Sequence, residues 1–448
     1  MHLNIMVNKL ISQFSLLCVL LCIPIVITAQ TSETLSLDKA KSLALSQNKL
    51  LEIQQEKVNE LEFKKDETGA NSLPMLYLTG NYAHAFNSDN IIIPQGALGT
   101  IGEYYIPGES LTIYEGKQDM FTGGLLAYQP LTQLLRVNNG VKAIEAQVEA
   151  ERFKLKAAQA KIENNIEKLF YAIKIQEKKL EAAQTNINWV KAKLYDLESA
   201  VIAKETQEVN SIGLKADLAD KKHKYLLEEI ALENYLADLK TTLMLPDSIN
   251  ITLAEQPIEI YTLNSKNYYL NQANNNNELL GAKKQIEAAD YGTKASKNAY
   301  LPDLGITGAV TYQNLISELP NTNYFLGVNL TWNVLGFVKH RAQLGESISK
   351  LNQAEAYAEH TETTLKADIE KGYRNAIQAK KLMEVALEAY NFRLEEYRIK
   401  TDGLETGLLT QKDVLETKYA LDKAEQDAYA SRLNFNMAVL DLNTLIGK

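Results

Sequence analysis

Two long stretches of the chain carry apolar residues at alternating steps of three and four positions. The stripe in the first stretch consists of Ile162, Ile166, Leu169, Ile173, Leu180, Ile187, Val190, Leu194, Leu197 and Val201. Such spacing is typical of a sustained heptad seam on a helix. A helix from about Asn138 to Lys204 would be ~100 Å long at 1.5 Å per residue. We therefore expect either a coiled-coil rod or a helix that spans something.

Proline supports the same interpretation. No proline lies between Pro130 and Pro246, and none follows Pro320. Because a proline inside a helix costs about 3 kcal/mol, these two proline-free stretches permit very long helices.

Four segments instead alternate between apolar and polar residues, which is the period of a β-strand. They lie near Met75–Phe86, Phe121–Leu131, Leu304–Gln313 and Tyr324–Val334. The apolar faces of the last two carry Leu304, Ile306, Leu326, Val328, Leu330 and Trp332. Each segment has about 10 residues, which suits a tilted membrane strand, although a soluble sandwich gives the same alternation. A closed barrel needs about 8 strands or more, so one chain cannot form one, whereas three chains would supply 12.

The second half of the chain repeats the first. Leu73-Pro74 and Leu301-Pro302 each precede a strand, and Ile166-Glu167-Lys168 matches Ile369-Glu370-Lys371. Each half is predicted to contain a helix, two strands, a very long helix, a reverse turn and a final helix. The predicted helices before the strands are Leu37–Ser72 and Ser265–Ala299. The predicted boundaries are a first repeat over 30–245, a linker over 246–264 and a second repeat over 265–448.

Residues 1–29 are predicted to be a cleaved signal peptide, because Lys9 precedes an apolar run that ends at Ala29. Both cysteines lie inside this segment, which excludes disulfides and thiolate metal sites from the mature chain. The net charge of −9 gives no support to nucleic-acid binding. We find no catalytic or phosphate-binding motif, and we predict no enzyme activity, metal or cofactor.

The chain resembles the TolC-like outer-membrane efflux family. The resemblance rests on Leu73-Pro74 and Leu301-Pro302, on Leu125-Ala127-Gln129-Pro130-Leu131, and on Gly407 followed by Asp413-Val414-Leu415-Glu416. It implies a mainly α fold with long α-helical hairpins and four β-strands per chain. It also implies a homotrimer with a 12-strand β-barrel in the outer membrane, continuous with a 12-helix α-barrel in the periplasm. The implied partners are outer-membrane lipid, a periplasmic adaptor and an inner-membrane pump, in a tripartite efflux pump or a type I secretion system.

The resemblance also suggests where the periplasmic mouth lies. Asp413 and Glu416 match carboxylates at the start of a final hairpin helix, and Asp217 with Asp220 is the proposed counterpart. Three copies of such residues would form a negative ring that selects cations. Acids at a helix start, favoured by the macrodipole, are the simpler interpretation. Gly407 and Gly213 are expected to mark the hairpin turns and the adaptor contact.

Two further questions stay open at this level. The inter-strand loop over 87–119 either caps the outer end of the barrel or is disordered. The function is either a passive exit duct or that of a coiled-coil structural or adaptor protein at the cell surface or in the periplasm. Only the duct accounts for the four duplicated amphipathic strands.

Overall fold

The computed structural model describes residues 32–87, 90–205, 207–246, 248–255, 259–316 and 319–448. The predicted signal peptide lies outside these ranges. Contacts divide the chain into two units. Unit 1 contains the residues up to Asn48, Ile162–Tyr261 and Ala379–Met437. Unit 2 contains Lys49–Lys161, Thr262–Gln378 and Ala438–Lys448.

Helices make up most of the described chain. In sequence order they are α1 (Leu37–Gln47), α2 (Lys49–Ala70), α3 (Gln133–Ile202), α4 (Glu208–Thr242), α5 (Lys266–Gln272), α6 (Asn277–Asn298), α7 (Phe337–Glu405) and α8 (Gln411–Leu445). The helices α3 and α7 have 70 and 69 residues, so both proline-free stretches do form very long helices. Among the described residues, every helix lacks an apolar stretch of membrane-spanning length.

Strands are fewer and mostly short. They are β1 (Ser32–Leu35), β2 (Met75–His84), β3 (Ile91–Ile93), β4 (Thr100–Ile101), β5 (Tyr104–Tyr105), β6 (Leu111–Tyr114), β7 (Asp119–Pro130), β8 (Asn250–Leu253), β9 (Asp303–Gln313) and β10 (Thr322–Thr331). The four predicted strands correspond to β2, β7, β9 and β10. The sequence pattern predicts Trp332 within the last strand, but it lies one residue beyond the end of β10.

Two predicted helices are interrupted by asparagine. The predicted helix over Leu37–Ser72 is two helices separated at Asn48, and its counterpart in the second half is broken before Asn277. The Asn276 side chain accepts a hydrogen bond of 2.9 Å from the backbone N–H of Leu279, which begins α6. Asparagine satisfies a free helix-start donor in this way, so it starts a new helix at little cost.

Unit 1 is built around a small parallel sheet that the sequence analysis missed. β1 pairs with β8 in the register Ser32↔Asn250, so the segment predicted as a linker contains a strand. Buried side chains from this sheet pack with the long helices. The buried cluster comprises Leu35, Ala40, Ala44, Ile166, Phe170, Tyr171, Ile173, Leu239, Leu243, Ile251, Leu253 and Leu433.

Unit 2 contains a four-stranded antiparallel sheet in the order β2-β7-β9-β10. The loop between β2 and β7 is folded in its described part: β3 pairs with β6, and β4 pairs with β5 inside that hairpin. A separate apolar cluster joins α5, α6, α7 and the end of α8. Its buried members are Tyr269, Ala273, Leu279, Leu365, Ile369, Ala376, Leu442 and Ile446.

The two clusters use positions related by one sequence offset. Subtracting 203 from Ile369, Ala376, Leu442 and Ile446 gives Ile166, Ile173, Leu239 and Leu243, which are buried in unit 1. The same offset relates α8 (411–445) to α4 (208–242) at both ends. The duplicated sequence pattern therefore recurs in the packing of each cluster. The predicted domain boundaries themselves remain a prediction.

Candidate membrane sheet and pore mouth

The sheet in unit 2 has one face that is apolar across all four strands. Register places Leu78 beside Leu125, Leu125 beside Val310, and Val310 beside Tyr324. The next row contains Leu76, Ala127, Gly308 and Leu326. Alternation of side chains along each strand puts both rows on the same face.

Nothing in the described chain covers this face. Leu326 is 82% exposed, Leu78 is 85% exposed and Val328 is 72% exposed. Its large exposed members are Leu76, Leu78, Tyr82, Phe121, Leu125, Ile306, Val310, Tyr312, Tyr324, Leu326, Val328 and Leu330. A contiguous apolar surface of this kind marks a site that meets another protein or a membrane.

In β9 and β10 the opposite face is more polar and carries smaller side chains, whereas β2 and β7 contribute Met75, Tyr77, Leu126 and Tyr128 to it. In β10 it carries Asn323, Gly327, Asn329 and Thr331 around a single Phe325. In β9 its members are Gly305, Thr307, Ala309, Thr311 and Gln313. On the apolar face of β9, Leu304 pairs with Leu330 and is partly exposed, and Ile306 is 40% exposed. In these two strands the division between the faces is the alternation expected of an outward-apolar membrane sheet.

The second hairpin, between α7 and α8, reverses at a glycine. Gly407 has φ +75°, a conformation that a residue with a Cβ adopts only at a cost. The backbone N–H of Leu408 donates to the carbonyl of Gly403 at 2.9 Å, and that of Gly407 donates to Leu404 at 3.0 Å. These two bonds form a Schellman motif, so Gly407 lies in the turn of this hairpin.

Asp413 closes a capping box at the start of α8. Its carboxylate accepts hydrogen bonds from the backbone N–H of Thr410 at 3.0 Å and from the Thr410 hydroxyl at 2.6 Å. The N–H of Asp413 donates in return to the Thr410 hydroxyl oxygen at 3.4 Å. The two bonds from Thr410 lower the pKa of Asp413. The simpler interpretation, a helix-start acid, therefore describes its contacts within one chain.

Glu416 is in a different position. It lies one turn further along α8, is exposed, and makes no hydrogen bond or ion pair to any described residue. Asp413 and Glu416 are three positions apart, so they share a helix face. The Asp413 carboxylate is already bonded to Thr410, whereas the Glu416 carboxylate remains available to an ion or to another copy of the chain.

The first hairpin, between α3 and α4, does not turn at Gly213 as predicted. Gly213 lies inside α4, and the chain reverses at Lys204, whose φ is +60°. The N–H of Glu205 donates to Ala200 at 2.9 Å and that of Lys204 donates to Val201 at 3.0 Å, which is again a Schellman motif. A lysine thus occupies the position of Gly407, because surrounding contacts can hold a strained residue.

The offset of 203 also shows that Asp217 and Asp220 are not the sequence counterparts of Asp413 and Glu416. Asp413 corresponds to Asn210 and Glu416 corresponds to Gly213, so neither position carries an acid in the first hairpin. Asp217 and Asp220 lie seven residues further along α4, about 10 Å at 1.5 Å per residue.

The two α4 acids also differ in their contacts. Asp217 pairs with Lys221 at 3.3 Å, whereas Asp220 is exposed. The structure therefore does not bring Asp217 and Asp220 to the position equivalent to that of Asp413 and Glu416.

The sequence contained the signal that finds this alignment. Ile166 and Ile369 already set the offset at 203, and applying it to Gly407 would have identified Lys204. The prediction of Gly213 instead rests on the local order of a glycine followed by two acids, which both hairpins share. The described residues contain no group of three or more His, Cys, Asp or Glu side chains that could hold a metal ion.

Comparison with known proteins agrees with this architecture. Residues 269–448 match the sequence profile of the family described as "Outer membrane efflux protein". A search of curated protein sequences finds no match.

Solved outer-membrane channels share the fold at low sequence identity. The Campylobacter jejuni CmeC outer membrane channel superposes with a TM-score of 0.70 and 15% identity, covering 92% of this chain and 85% of that one. The outer membrane protein VceC of Vibrio cholerae gives a TM-score of 0.70 and 15% identity, covering 92% and 96%. The open state of the Neisseria gonorrhoeae MtrE outer membrane channel gives 0.68 and 16%, covering 92% and 88%.

The predicted fold class is thereby confirmed within one chain: long helical hairpins with four strands between them. The profile match covers most of the second half, and the structural matches extend the same fold over nearly the whole chain. Residues 269–448 thus resemble the outer membrane efflux protein family, and nearly the whole chain has the fold of solved outer-membrane channels.

Proposed function

We propose that three copies of this chain form the passive exit duct of a tripartite efflux pump or a type I secretion system. The observation that supports this most directly is the uncovered apolar face shared by β2, β7, β9 and β10. Within the described chain the two outer strands, β2 and β10, each have one unpaired edge. An open edge cannot face lipid, because its backbone groups would lose their hydrogen bonds.

Three copies would resolve both features together. Each copy would pair its β2 edge with the β10 edge of its neighbour and so close a sheet of 12 strands. The apolar face, including Leu304, Ile306, Leu326, Val328 and Leu330, would then meet outer-membrane lipid. Trp332, just past β10, would lie at the membrane boundary, where tryptophan is favoured.

The long helical hairpins would form the periplasmic part of the duct. We place the adaptor contact at the two hairpin turns, Gly407 and Lys204, with an inner-membrane pump supplying the energy. The exposed apolar side chains of the turns, Leu408 at 82% and Ile202 at 84%, support a contact surface there.

We further propose that Glu416, with Asp413 beside it, lines the periplasmic mouth. Two carboxylates from each copy around one axis would attract cations and repel anions. Asp217 and Asp220 would contribute less, because they lie two helical turns away from the equivalent level and Asp217 is paired with Lys221.

The first experiment measures particle mass and conductance on one sample. The protein is extracted from membranes in mild detergent, its mass is determined by light scattering, and single channels are recorded in planar bilayers. A particle of three chains with cation-selective conductance supports the duct. A monodisperse soluble monomer without conductance would refute it.

The mouth is tested by charge removal. The double variant Asp413→Asn with Glu416→Gln is expected to lower the cation-to-anion permeability ratio by about tenfold, since a pore lined by one sign of charge concentrates its counter-ion. Glu346→Gln with Glu362→Gln removes the same charge from exposed, lysine-paired positions on α7 and is the matched control. Equal permeability ratios in the two variants would remove Asp413 and Glu416 from the pore lining.

A further inference from the structure

A pocket in unit 1 lies between α3, α4 and α8, away from both hairpin turns. Its volume is about 230 Å³. Four lysines line it: Lys179 from α3, Lys221 and Lys224 from α4, and Lys423 from α8. At about 30 Å³ per water molecule the pocket has room for roughly seven waters or a ligand of similar size.

The positive charge of this pocket is poorly compensated. Lys221 pairs with Asp217 at 3.3 Å, but Lys179, Lys224 and Lys423 make no ion pair with any described residue. Other lysines on these helices pair with an acid three or four positions away, as Lys174, Lys178 and Lys418 do. The pocket therefore contains three lysines whose charge no described acid neutralises.

Glu228 is the one carboxylate among the pocket-lining residues. It is already engaged, since the buried Gln176 donates to its carboxylate at 2.5 Å and to its backbone carbonyl at 2.9 Å. The pocket thus combines four lysines with one occupied glutamate, and like charges held together favour a counter-anion.

An unsatisfied amide, that of Asn186, is among the residues that line the pocket. Asn186 is 9% exposed, and its Oδ1 atom has no hydrogen-bond partner among the described residues. The Oδ1 atom is shielded from solvent, but a rotation of the amide would offer a ligand either an acceptor or two donors. A buried polar atom without a protein partner calls for a ligand or a water.

An aromatic wall completes the pocket. Tyr419 lines it and stacks on Trp189 with ring centroids 5.8 Å apart and an interplanar angle of 11°. The Nε1 atom of Trp189 is also buried without a partner in the described structure. Ligand binding beside Tyr419 is therefore expected to alter the environment of Trp189, which is one of two tryptophans in the sequence.

We propose that this pocket binds a small multivalent oxyanion of the phosphate type. Lysines from three helices would surround it, and Asn186 would contact it. Such a ligand would tie α4 and α8 to α3, because it replaces repulsion among their lysines by attraction to a shared charge. The inference does not depend on the proposed function, since all its residues belong to one unit of one chain.

The test uses pyrophosphate as the probe and Trp189 as the reporter. In a Trp332→Phe background, Trp189 is the only tryptophan of the full-length protein. Pyrophosphate is titrated into the purified protein in detergent at constant ionic strength. We expect a saturable change of fluorescence and a higher thermal midpoint, whereas chloride at the same ionic strength produces neither.

Lysine variants identify the site. Lys224→Gln and Lys423→Gln are each expected to weaken the pyrophosphate affinity by about tenfold, the usual effect of losing one charge-assisted hydrogen bond. Lys222→Gln removes the same charge from an exposed lysine on α4 outside the pocket and should leave the affinity unchanged. Asn186→Asp, which adds a negative charge to the pocket lining, should abolish the saturable response.

Several outcomes would overturn the proposal. One is a titration without saturation, and another is an equal loss in Lys222→Gln and Lys224→Gln. A third is a pyrophosphate-insensitive protein whose oligomer dissociates when Lys224 or Lys423 is replaced. That result would mean that acidic side chains of a second copy occupy the pocket.

Discussion

Glu167 in α3 is fully buried, and three donors from different parts of unit 1 converge on its carboxylate. Tyr171 donates at 2.8 Å, Tyr261 at 2.5 Å and Lys41 at 2.5 Å. A buried carboxylate is tolerated only when it is paired and hydrogen-bonded, as it is here. Tyr261 lies near the end of the predicted linker over 246–264. Its hydrogen bond to Glu167 therefore attaches that segment to α3.

Both tyrosines of the cluster are harder to ionise than usual. Burial, followed by the charge of Glu167, raises the pKa of Tyr171. Burial and the hydrogen bond to Glu167 raise the pKa of Tyr261 to about 12. Because the folded-state pKa exceeds the ordinary value of 10.0, the stabilisation is complete below pH 10 and is lost as the pH rises toward 12.

Tyr261→Phe should therefore have a pH-dependent effect. Below pH 10 we expect a loss of about 1 kcal/mol, the value of one hydrogen bond, seen as a lower thermal midpoint by circular dichroism. Between pH 10 and 12 the midpoint of the variant should fall less steeply than that of the parent. Tyr235→Phe, on α4 and partly exposed, is the control. Identical pH profiles for Tyr261→Phe and the parent would show that Tyr261 does not contribute.

At the scale of elements, the two halves end their helices with the same hydrogen bonds but with different residues. Gly407 and Gly447 have positive φ in the second half, and Lys204 and Met244 have it at the equivalent positions in the first half. At all four positions the two backbone bonds of the Schellman motif are present. Hydrogen bonding to the preceding helix thus determines the turn, and glycine only lowers its cost.

Substitutions at the two hairpin turns should change the stability of those turns in opposite directions. Lys204→Gly should stabilise its turn by about 1 kcal/mol, because a left-handed conformation is costly for a residue with a Cβ. Gly407→Ala should destabilise the other turn by a similar amount. Hydrogen exchange of the amides in each turn measures both effects.

Lys204→Ala is the matched control for the turn experiment. It removes the lysine side chain but keeps the Cβ, so exchange should stay close to that of the parent. If Lys204→Ala and Lys204→Gly slowed exchange equally, strain at this position would not be the cause.

At the scale of the whole molecule, the sheet in unit 2 carries more exposed apolar surface than a water-soluble protein normally shows. Leu326, Val328 and Leu330 point to one face of β10, and Asn323, Asn329 and Thr331 point to the other. The proposed outer-membrane location would explain why the apolar side is the uncovered one, since lipid would replace the missing protein contacts.

One lysine substitution on each face of β10 tests which face contacts lipid. Leu326→Lys should reduce the amount of assembled protein in the outer-membrane fraction, because a lysine on the lipid face costs about 2–4 kcal/mol near the membrane centre. Asn329→Lys places the same charge three residues away on the opposite face and should assemble at the parental level. Membrane fractionation followed by electrophoresis without heating measures the oligomer. Equal assembly of both variants would argue against lipid contact at Leu326.

The sequence by itself determined the long helices, the four strands of the main sheet and the resemblance to the outer membrane efflux family. Heptad spacing and two-residue alternation are local patterns, and each is repeated over enough residues to leave little ambiguity. The first hairpin turn is not evident from local sequence, because the glycine and two acids at Gly213, Asp217 and Asp220 resemble those at Gly407, Asp413 and Glu416. The turn lies at Lys204 instead.

Only the tertiary structure decided the features that join distant segments. The pairing of β1 with β8 connects Ser32 to Asn250, and two four-residue strands carry too little local signal to reveal it. The donors on Glu167 come from Lys41 and Tyr261, which are 126 and 94 residues away. Hydrogen bonds and burial of this kind depend on how the chain is folded in space, so no local periodicity of the sequence encodes them.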